Sequence, residues 1–150
     1  MIQTQVKTFS ELSLKELYRI LQLRSEVFVV EQDCVYQDID GKDEKSLHVL
    51  GIKNNQIIAY TRIFKPGDYF KESSIGRVVV AKNERQYKYG YDIMKASINA
   101  IKDYYGETKI KISAQIYLKN FYNNLGFHEV GEAYLEDGIP HIAMIKGLPF

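Results

Sequence analysis

The sequence contains one cysteine, almost no net charge and no long apolar run, and each shortage excludes a class of protein. Cys34 is the only cysteine among 150 residues, so no disulfide can form within the chain. The 20 basic and 19 acidic residues leave a formal charge of +1, which gives no reason to expect binding to nucleic acid or to an acidic membrane. No apolar run approaches the roughly 20 residues that span a bilayer. Because residues 1–10 also lack a basic-then-apolar leader, we expect a soluble protein of the reducing cytoplasm.

Several signatures of metal, phosphate and nucleic-acid sites are missing as well. There is no Gly-Lys-Ser/Thr phosphate loop, no zinc-like spacing of Cys and His, and no stripe of basic and aromatic residues. Residues 36–41 resemble a calcium loop only loosely, because Tyr36 and Leu47 stand where its first and twelfth ligands should be carboxylates. We therefore expect no metal ion, and we interpret the acidic stretch as a turn or as an acidic rim that favours a cationic substrate.

Length and hydrophobic periodicity predict one domain of α/β (α+β) class over residues 1–150. Alternating apolar residues predict strands, and apolar residues three to four apart predict helices. The predicted strands are residues 2–9, 46–53, 56–65, 75–81, 108–114, 127–135 and 141–146, and the predicted helices are residues 13–29, 92–104 and 116–125. Residues 31–45 are predicted to form a long loop. This order predicts a central mixed, mostly antiparallel sheet of six to seven strands flanked by helices.

Residues 75–91 contain the most informative junction of strand and helix. A β-branched, buried-looking strand is followed by a short turn and then by a helix. The unpaired N–H groups and the dipole at a helix start attract phosphate. The junction is therefore a candidate phosphate-binding site.

The turn itself, Arg85-Gln86-Tyr87-Lys88-Tyr89-Gly90, resembles the pyrophosphate loop Arg/Gln-x-x-Gly-x-Gly/Ala of the GNAT N-acetyltransferases. Lys88 stands where the first glycine of that loop is expected. The replacement forfeits the closest approach of backbone to pyrophosphate, but it could place an ammonium group beside the anion. For this loop alone, an ordinary turn with solvated Arg85 and Lys88 is the alternative.

A second stretch, residues 114–127, resembles the other GNAT signature. Tyr122 falls where family members commonly place a tyrosine near the sulfur of coenzyme A, and a phenol can protonate the thiolate that leaves. The alternative is a core aromatic beside Phe121 and Phe127. Gln115 occupies the position of an asparagine that binds the pantetheine arm in many relatives, or else it is a polar residue at a helix start.

Three longer strings resemble the ElaA-type branch of the GNAT family, so that the resemblance spans residues 24–141. They are Arg24-Ser25-Glu26-Val27-Phe28-Val29-Val30-Glu31-Gln32, Tyr36-Gln37-Asp38-Ile39-Asp40 and Glu136-Asp137-Gly138-Ile139-Pro140-His141. The resemblance implies transfer of an acetyl group from acetyl-CoA to a primary amine of a small molecule or peptide, by direct attack in a ternary complex. The alternatives are an acyl-CoA-binding module without transferase activity and transfer of a longer acyl chain. A homodimer is possible.

The resemblance also implies which residues bind coenzyme A. The strand would pair its backbone with the pantetheine, and an N–H near Val79 or Val80 would hold the oxyanion. The predicted cofactor-binding residues are Val78, Val79, Val80, Arg85, Gln86, Tyr87, Lys88, Tyr89, Gly90, Gln115 and Tyr122.

The base that deprotonates the amine is not selected by spacing. Glu31, His48, Glu136 and His141 are candidates, and each has a structural alternative as a solvated carboxylate or a core histidine. His141 follows a rigid Ile-Pro, and histidine is a common general base near neutral pH, whereas Glu31 belongs to a branch-specific string. The predicted catalytic residues are therefore Tyr122, His141 and Glu31.

Overall fold

A seven-stranded sheet forms the centre of the computed structural model, which describes residues 2–147. The strands are β1 (Gln3–Thr8), β2 (Leu47–Lys53), β3 (Gln56–Phe64), β4 (Ser73–Val80), β5 (Ile110–Gln115), β6 (His128–Glu136) and β7 (Ile139–Lys146), and the helices are α1 (Leu14–Arg24), α2 (Tyr89–Tyr105) and α3 (Lys119–Asn123). Their order in the sheet is β1-β2-β3-β4-β5-β7-β6, and of these neighbours only β4 and β5 run parallel. The predicted mixed, mostly antiparallel sheet is confirmed.

Three segments around the site differ in type from the sequence-based expectation. The first helix is an α-helix only to Arg24 and continues as a π-helix over Ser25–Glu31, a form that occurs often at functional sites. The turn after β4 is a 3-10 helix, Lys82–Tyr87. The predicted third helix is divided into a 3-10 turn, Ile116–Leu118, and α3. In the first and third cases a predicted continuous α-helix includes a segment with a different hydrogen-bond spacing. In the second case the predicted turn is itself helical.

Helices α1 and α2 cover opposite faces of the sheet. The Thr61 hydroxyl of β3 is 2.5 Å from the Ser97 hydroxyl of α2. Tyr60, the neighbouring β3 residue, points the other way, and the Arg24 guanidinium of α1 lies 6.0 Å from its ring centre. The predicted start of α1 is confirmed, because Ser13 and Glu16 form a reciprocal capping box. Strand β3 is consequently buried on both faces and anchors the centre of the domain.

Strands β4 and β5 separate after two residue pairs. Ser73 pairs with Ile110 and Ser74 with Lys111, and there the parallel pairing ends. On its other side β4 stays paired with β3, although an extra residue bulges from β4 around Arg77, whose φ is +50°. The sheet therefore opens into a wedge between β4 and β5.

Three arginines and three aspartates form a buried network between α1, the following loop and the sheet. Arg24 contacts Asp38 and Asp43 at 2.8 Å each, and Arg62 contacts Asp40 and also Asp43. Arg77 completes the network by pairing with Asp38 at 2.8 Å. The interpretation of this acidic stretch as a free acidic rim was wrong, because its carboxylates point inward to arginines.

Acid is expected to weaken the fold through this network. Burial alone would raise the pKa values of Asp40 and Asp43, but the hydrogen bonds and charges of Arg62 and Arg24 outweigh burial and hold both pKa values below their usual range. A depressed pKa stabilises the folded state above the unfolded pKa, about 3.9 for aspartate, and that contribution is lost as pH falls through the folded pKa. Urea midpoints measured between pH 7 and pH 3 should therefore fall most steeply below about pH 4.

The Asp40→Asn variant should lose less stability than the wild type over that pH interval, because one of the depressed groups is gone. Asp103→Asn, which changes an exposed aspartate of α2, is the matched control and should keep the wild-type slope. Equal slopes in the wild type and the Asp40→Asn variant would contradict the assignment of acid sensitivity to Asp40.

Candidate active site

A cavity of about 550 Å³ occupies the wedge between β4 and β5. One wall is β4 from Ser74 to Val80, and the opposite wall is formed by β5, β7 and the start of α3. The π-helix that follows α1 and the turn before α2 close its ends. The cavity therefore lies where the sequence placed its candidate phosphate-binding junction.

The structure brings most of the predicted cofactor-binding residues to this cavity. Those that line it are Val78, Val79, Val80, Arg85, Lys88, Gly90, Gln115 and Tyr122. The side chains of Gln86, Tyr87 and Tyr89 do not line it, and Tyr87 instead lies under the Lys53 ammonium, 4.2 Å from its ring centre. The structure therefore does not bring these three predicted residues to the cavity.

Lys88 adopts the left-handed conformation that a glycine would supply at this position. Its φ is +60° and its ψ is +30°, and it forms the N-cap of α2. Lysine enters this region at a steric cost that glycine does not have. The turn thus keeps the expected backbone shape, and Lys88 adds a side chain that lines the cavity.

Gly90 allows α2 and α3 to pack closely against each other. A Cβ atom at this position would lie 3.3 Å from two ring carbons of Phe121. The Phe121 ring also packs against Tyr91, with ring centres 4.7 Å apart. The glycine therefore lets α3 approach the first turn of α2 and narrows that end of the cavity.

Arg85 binds the carboxylate of Glu31, the last residue of the π-helix that follows α1. Its guanidinium donates two hydrogen bonds to Glu31, at 2.5 and 2.8 Å, and a third to the Val80 carbonyl at 3.1 Å. The hydrogen bonds from Arg85 hold the pKa of Glu31 below its usual range. A carboxylate with a lowered pKa is a weaker base, so this geometry does not favour the prediction of Glu31 as the general base.

Residues that follow Glu31 contact the opposite side of the cavity. The Gln32 amide exchanges hydrogen bonds with the Gln115 amide, at 3.3 and 3.4 Å. The Cys34 thiol lies 3.3 Å from the Asp137 carbonyl in the turn between β6 and β7. Residues 31–34 therefore span the cavity from the turn before α2 to the last hairpin.

Tyr122 is both a core aromatic and a residue that lines the cavity. Its ring packs edge-on against Phe121 and Phe127, with ring centres 5.0 and 6.0 Å away, as expected of a core aromatic. It also lines the cavity, and burial raises the pKa of its phenol. The phenol therefore stays protonated at neutral pH.

His141 and His48 lie in different environments. His141 lines the cavity, its Nδ1 donates a hydrogen bond of 2.7 Å to the Ile139 carbonyl, and its Nε2 lies 3.4 Å from Glu136 Oε2. His48 is enclosed by Tyr60, Ser46 and the Asp43 carbonyl, and it does not line the cavity. Burial lowers the pKa of His48, which agrees with the core alternative for this residue.

Two polar residues beside His141 were not predicted. Ser113 lines the cavity and donates a hydrogen bond to Glu136 at 3.2 Å, and Tyr134 stacks on the His141 ring with the ring centres 6.2 Å apart. The alternation of β5 places Ser113 on the same face as Gln115, which is the signal that could have identified it. Tyr134 could be identified only from the register of the final hairpin.

The described residues contain neither a membrane-spanning helix nor a cluster of metal-binding side chains. Within residues 2–147 no helix has the length and apolar character needed to cross a membrane. In the same part of the chain no group of three or more His, Cys, Asp and Glu side chains has an arrangement that could hold a metal ion.

Comparison with known proteins identifies the family. The family model described as an acetyltransferase (GNAT) domain matches residues 5–148. Protein ElaA of Escherichia coli strain K12 is 45% identical over 148 residues, which is 97% of each chain. Its crystal structure superposes with a TM-score of 0.90, at 44% identity over 98% of this chain and 100% of that one. The crystal structure of an acyl-CoA N-acyltransferase from Pseudomonas aeruginosa gives the same TM-score of 0.90, at 40% identity over 98% and 100% of the two chains.

A more distant structure shares the fold alone. The CoA-dependent acyl-homoserine lactone synthase BjaI has a TM-score of 0.76 at 17% identity, covering 97% of this chain and 82% of that one. With the family model matching nearly the whole sequence, the chain belongs to the GNAT acetyltransferase family, in its ElaA-like branch.

Proposed function

We propose that the protein transfers an acetyl group from acetyl-CoA to a primary amine of a small molecule or peptide, by direct attack in a ternary complex. The GNAT family uses acetyl-CoA or acyl-CoA as the acyl donor. The observation that carries the proposal is the wedge between β4 and β5. Past Ser74, β4 has no β5 partner, so its backbone groups on that edge are available to the amides of a pantetheine arm.

The charged end of the cavity suits the pyrophosphate. Arg85 and Lys88 line this end, and α2 begins there with the backbone N–H groups of its first turn. A helix start and two cations are a suitable environment for an anion. These residues, rather than a metal ion, would bind the phosphates.

Strand alternation supports Val80 as the donor to the oxyanion. The Ala81 N–H donates to the Ile58 carbonyl at 2.8 Å, toward β3. Because successive N–H groups of a strand point to opposite edges, the Val80 N–H points to the open edge. An N–H at that position would stabilise the negative charge on the thioester oxygen during attack.

Proton transfer is assigned to His141 and Tyr122. Nε2 of His141 takes a proton from the acceptor amine, and the amine nitrogen then forms a bond to the thioester carbon. Collapse of the adduct breaks the carbon–sulfur bond, and the Tyr122 phenol protonates the thiolate. Both side chains line the same cavity, which supports these roles.

Replacing Glu31 by glutamine is expected to lower the Kd for acetyl-CoA by about twofold to fivefold. This factor corresponds to the free energy of about one exposed ion pair. The carboxylate occupies two donors of Arg85 that a pyrophosphate would use, so its loss frees them. Calorimetric titration measures the Kd, and steady-state thiol release should show kcat nearly unchanged.

Glu84→Gln is the matched control for this change. Glu84 lies in the same turn but pairs with Lys53, outside the cavity, so the Kd should stay at the wild-type value. If Glu31 were the general base, Glu31→Gln would instead lower kcat by about 100-fold and leave the Kd unchanged.

Thiol release tests the proposed function. Acetyl-CoA is first titrated calorimetrically, and release of free thiol is then followed over a panel of small alkylamines, aminoglycosides and peptide N-termini. Binding with amine-dependent release is the expected result. Binding without release would indicate an acyl-CoA-binding module, and absence of binding would contradict both functions.

Domain organisation, cellular location and oligomeric state are inferred from the family and the composition. We propose that residues 1–150 form a single domain, that the protein acts in the cytoplasm without nucleic-acid or membrane partners, and that it can form a homodimer. Size-exclusion chromatography with light scattering would test the oligomeric state.

A further inference from the structure

Three polar side chains of the cavity wall, Ser113, Glu136 and His141, form a cluster with Tyr134 of β6, which contacts Ser113 and stacks on His141. We infer that this cluster is the acceptor site and that Glu136 selects aliphatic amines by binding them as ammonium ions. The inference rests on the proposed acetyl transfer and adds to it a class of acceptor and a residue that recognises this class.

The strand register places these side chains on one face of the sheet. His141 pairs with Gln115 of β5 on one side and with Tyr134 of β6 on the other, and directly opposed residues project to the same face. Glu136 is opposite Ile139, two residues before His141, so it shares that face. The same face of β5 carries Ser113, two residues before Gln115. The cluster is thus set by the register of three adjacent strands.

The hydrogen bonds fix Glu136 as an acceptor. Ser113 uses its one hydroxyl proton to donate to Glu136 Oε1 at 3.2 Å. The Tyr134 hydroxyl must therefore donate to Ser113 Oγ in the bond between them. The hydrogen bonds thus run from Tyr134 to Ser113 and from Ser113 to the Glu136 carboxylate. The other carboxylate oxygen, Oε2, lies 3.4 Å from His141 Nε2.

Glu136 lacks the permanent cation partner that Glu31, at the other end of the cavity, possesses. Within residues 2–147 no lysine or arginine lies within ion-pair distance of it, whereas Glu31 is paired with Arg85. Its side chain is 46% exposed and lines the cavity. An acceptor ammonium would supply the missing positive charge without having to displace a cation of the protein.

The same position lets the bound ammonium reach the base. His141 Nδ1 donates to the Ile139 carbonyl, and its Nε2 lies 3.4 Å from Glu136 Oε2, so a base acting through Nε2 would be beside the bound ammonium. The ammonium loses one proton to Nε2, and the imidazolium that forms is paired with Glu136. The resulting free amine attacks the thioester carbon, its second proton leaves to solvent as the adduct collapses, and the thiolate takes the proton of Tyr122.

Glu136 has a second conceivable role, which is to tie the β6–β7 turn to β5 through Ser113. A purely structural role would affect every acceptor equally. A role in binding an ammonium affects only acceptors that arrive charged. Two probes of similar size separate these cases at pH 7.5: benzylamine, which is protonated, and aniline, which is neutral.

The test compares kcat/KM for the two amines in the wild type and in the Glu136→Gln variant. Glutamine keeps the size of the side chain and can still accept the hydrogen bond from Ser113. We expect kcat/KM for benzylamine to fall by about 30-fold, as for loss of one hydrogen bond to a charged group, and that for aniline to fall by a several-fold smaller factor, because aniline loses only the pairing of Glu136 with the imidazolium. The Kd for acetyl-CoA should not change.

Glu132→Gln is the matched control, because Glu132 is an exposed carboxylate of the same strand that does not line the cavity. It should behave as the wild type with both amines. Equal losses for benzylamine and aniline, or no loss for benzylamine, would overturn the inference while leaving an active wild type and the proposed function intact. A wild type that releases thiol with neither amine would overturn the proposed function, and this inference with it.

Discussion

Phenylalanine in place of Tyr122 is expected to lower kcat for acetyl transfer by about 100-fold or more, while the Kd for acetyl-CoA changes by less than about threefold. The substitution removes one hydroxyl and leaves the ring in its packing against Phe121 and Phe127. The Tyr122 phenol is protonated at neutral pH and lines the cavity, so a proton is available beside the departing thiolate. Without this proton the adduct expels a free thiolate, or returns to the thioester.

Steady-state thiol release at saturating acetyl-CoA and amine measures this effect. Tyr117→Phe is the control, because Tyr117 also lines the cavity but is 72% exposed and has no assigned role in the chemistry. Its kcat should remain within about threefold of the wild type, the scale of one lost hydrogen bond. A Tyr122→Phe variant with unchanged kcat would remove Tyr122 from the reaction.

Replacing Arg24 by methionine is expected to destabilise the fold by about 3–5 kcal/mol, because it breaks a buried network of charges from one side. Arg24 is fully buried and donates to carboxylate oxygens of Asp38 and Asp43, at 2.8 Å each. Methionine retains much of the apolar stem but leaves two buried carboxylates with fewer partners. Urea denaturation at pH 7 measures the change in free energy of unfolding.

Lys15→Met, at an exposed cation of the same helix, is the matched control and should change stability by less than about 0.5 kcal/mol. A change of that small size at Arg24 would show that the network does not stabilise the fold. The network matters to the site as well, since Arg62 and Arg77 both line the cavity.

Much of the fold could be predicted because strands and helices depend on local patterns. Alternation identified β5, and the capping box at Ser13 identified the start of α1. The element order then restricted the sheet to a mixed arrangement with one crossover. The π-helix after Arg24 was missed because its sequence keeps the apolar spacing of an α-helix.

Contacts between distant parts of the chain could not be predicted from the same patterns. Glu31 and Arg85 are 54 positions apart, and nothing local shows that they pair. Likewise, the partner that each buried arginine finds depends on the path of the loop between α1 and β2. The sequence did not show how Lys88 affects the backbone of the turn. Its positive φ shows that lysine adopts the left-handed conformation expected of a glycine at this position.

A crystal structure of the protein with coenzyme A tests the central claim most directly, because the claim concerns where the cofactor lies. We predict a pantetheine arm between β4 and β5, paired with the open edge of β4, and a pyrophosphate beside Arg85, Lys88 and the first turn of α2. Coenzyme A bound elsewhere, with the wedge between β4 and β5 unoccupied, would contradict the assignment of the active site.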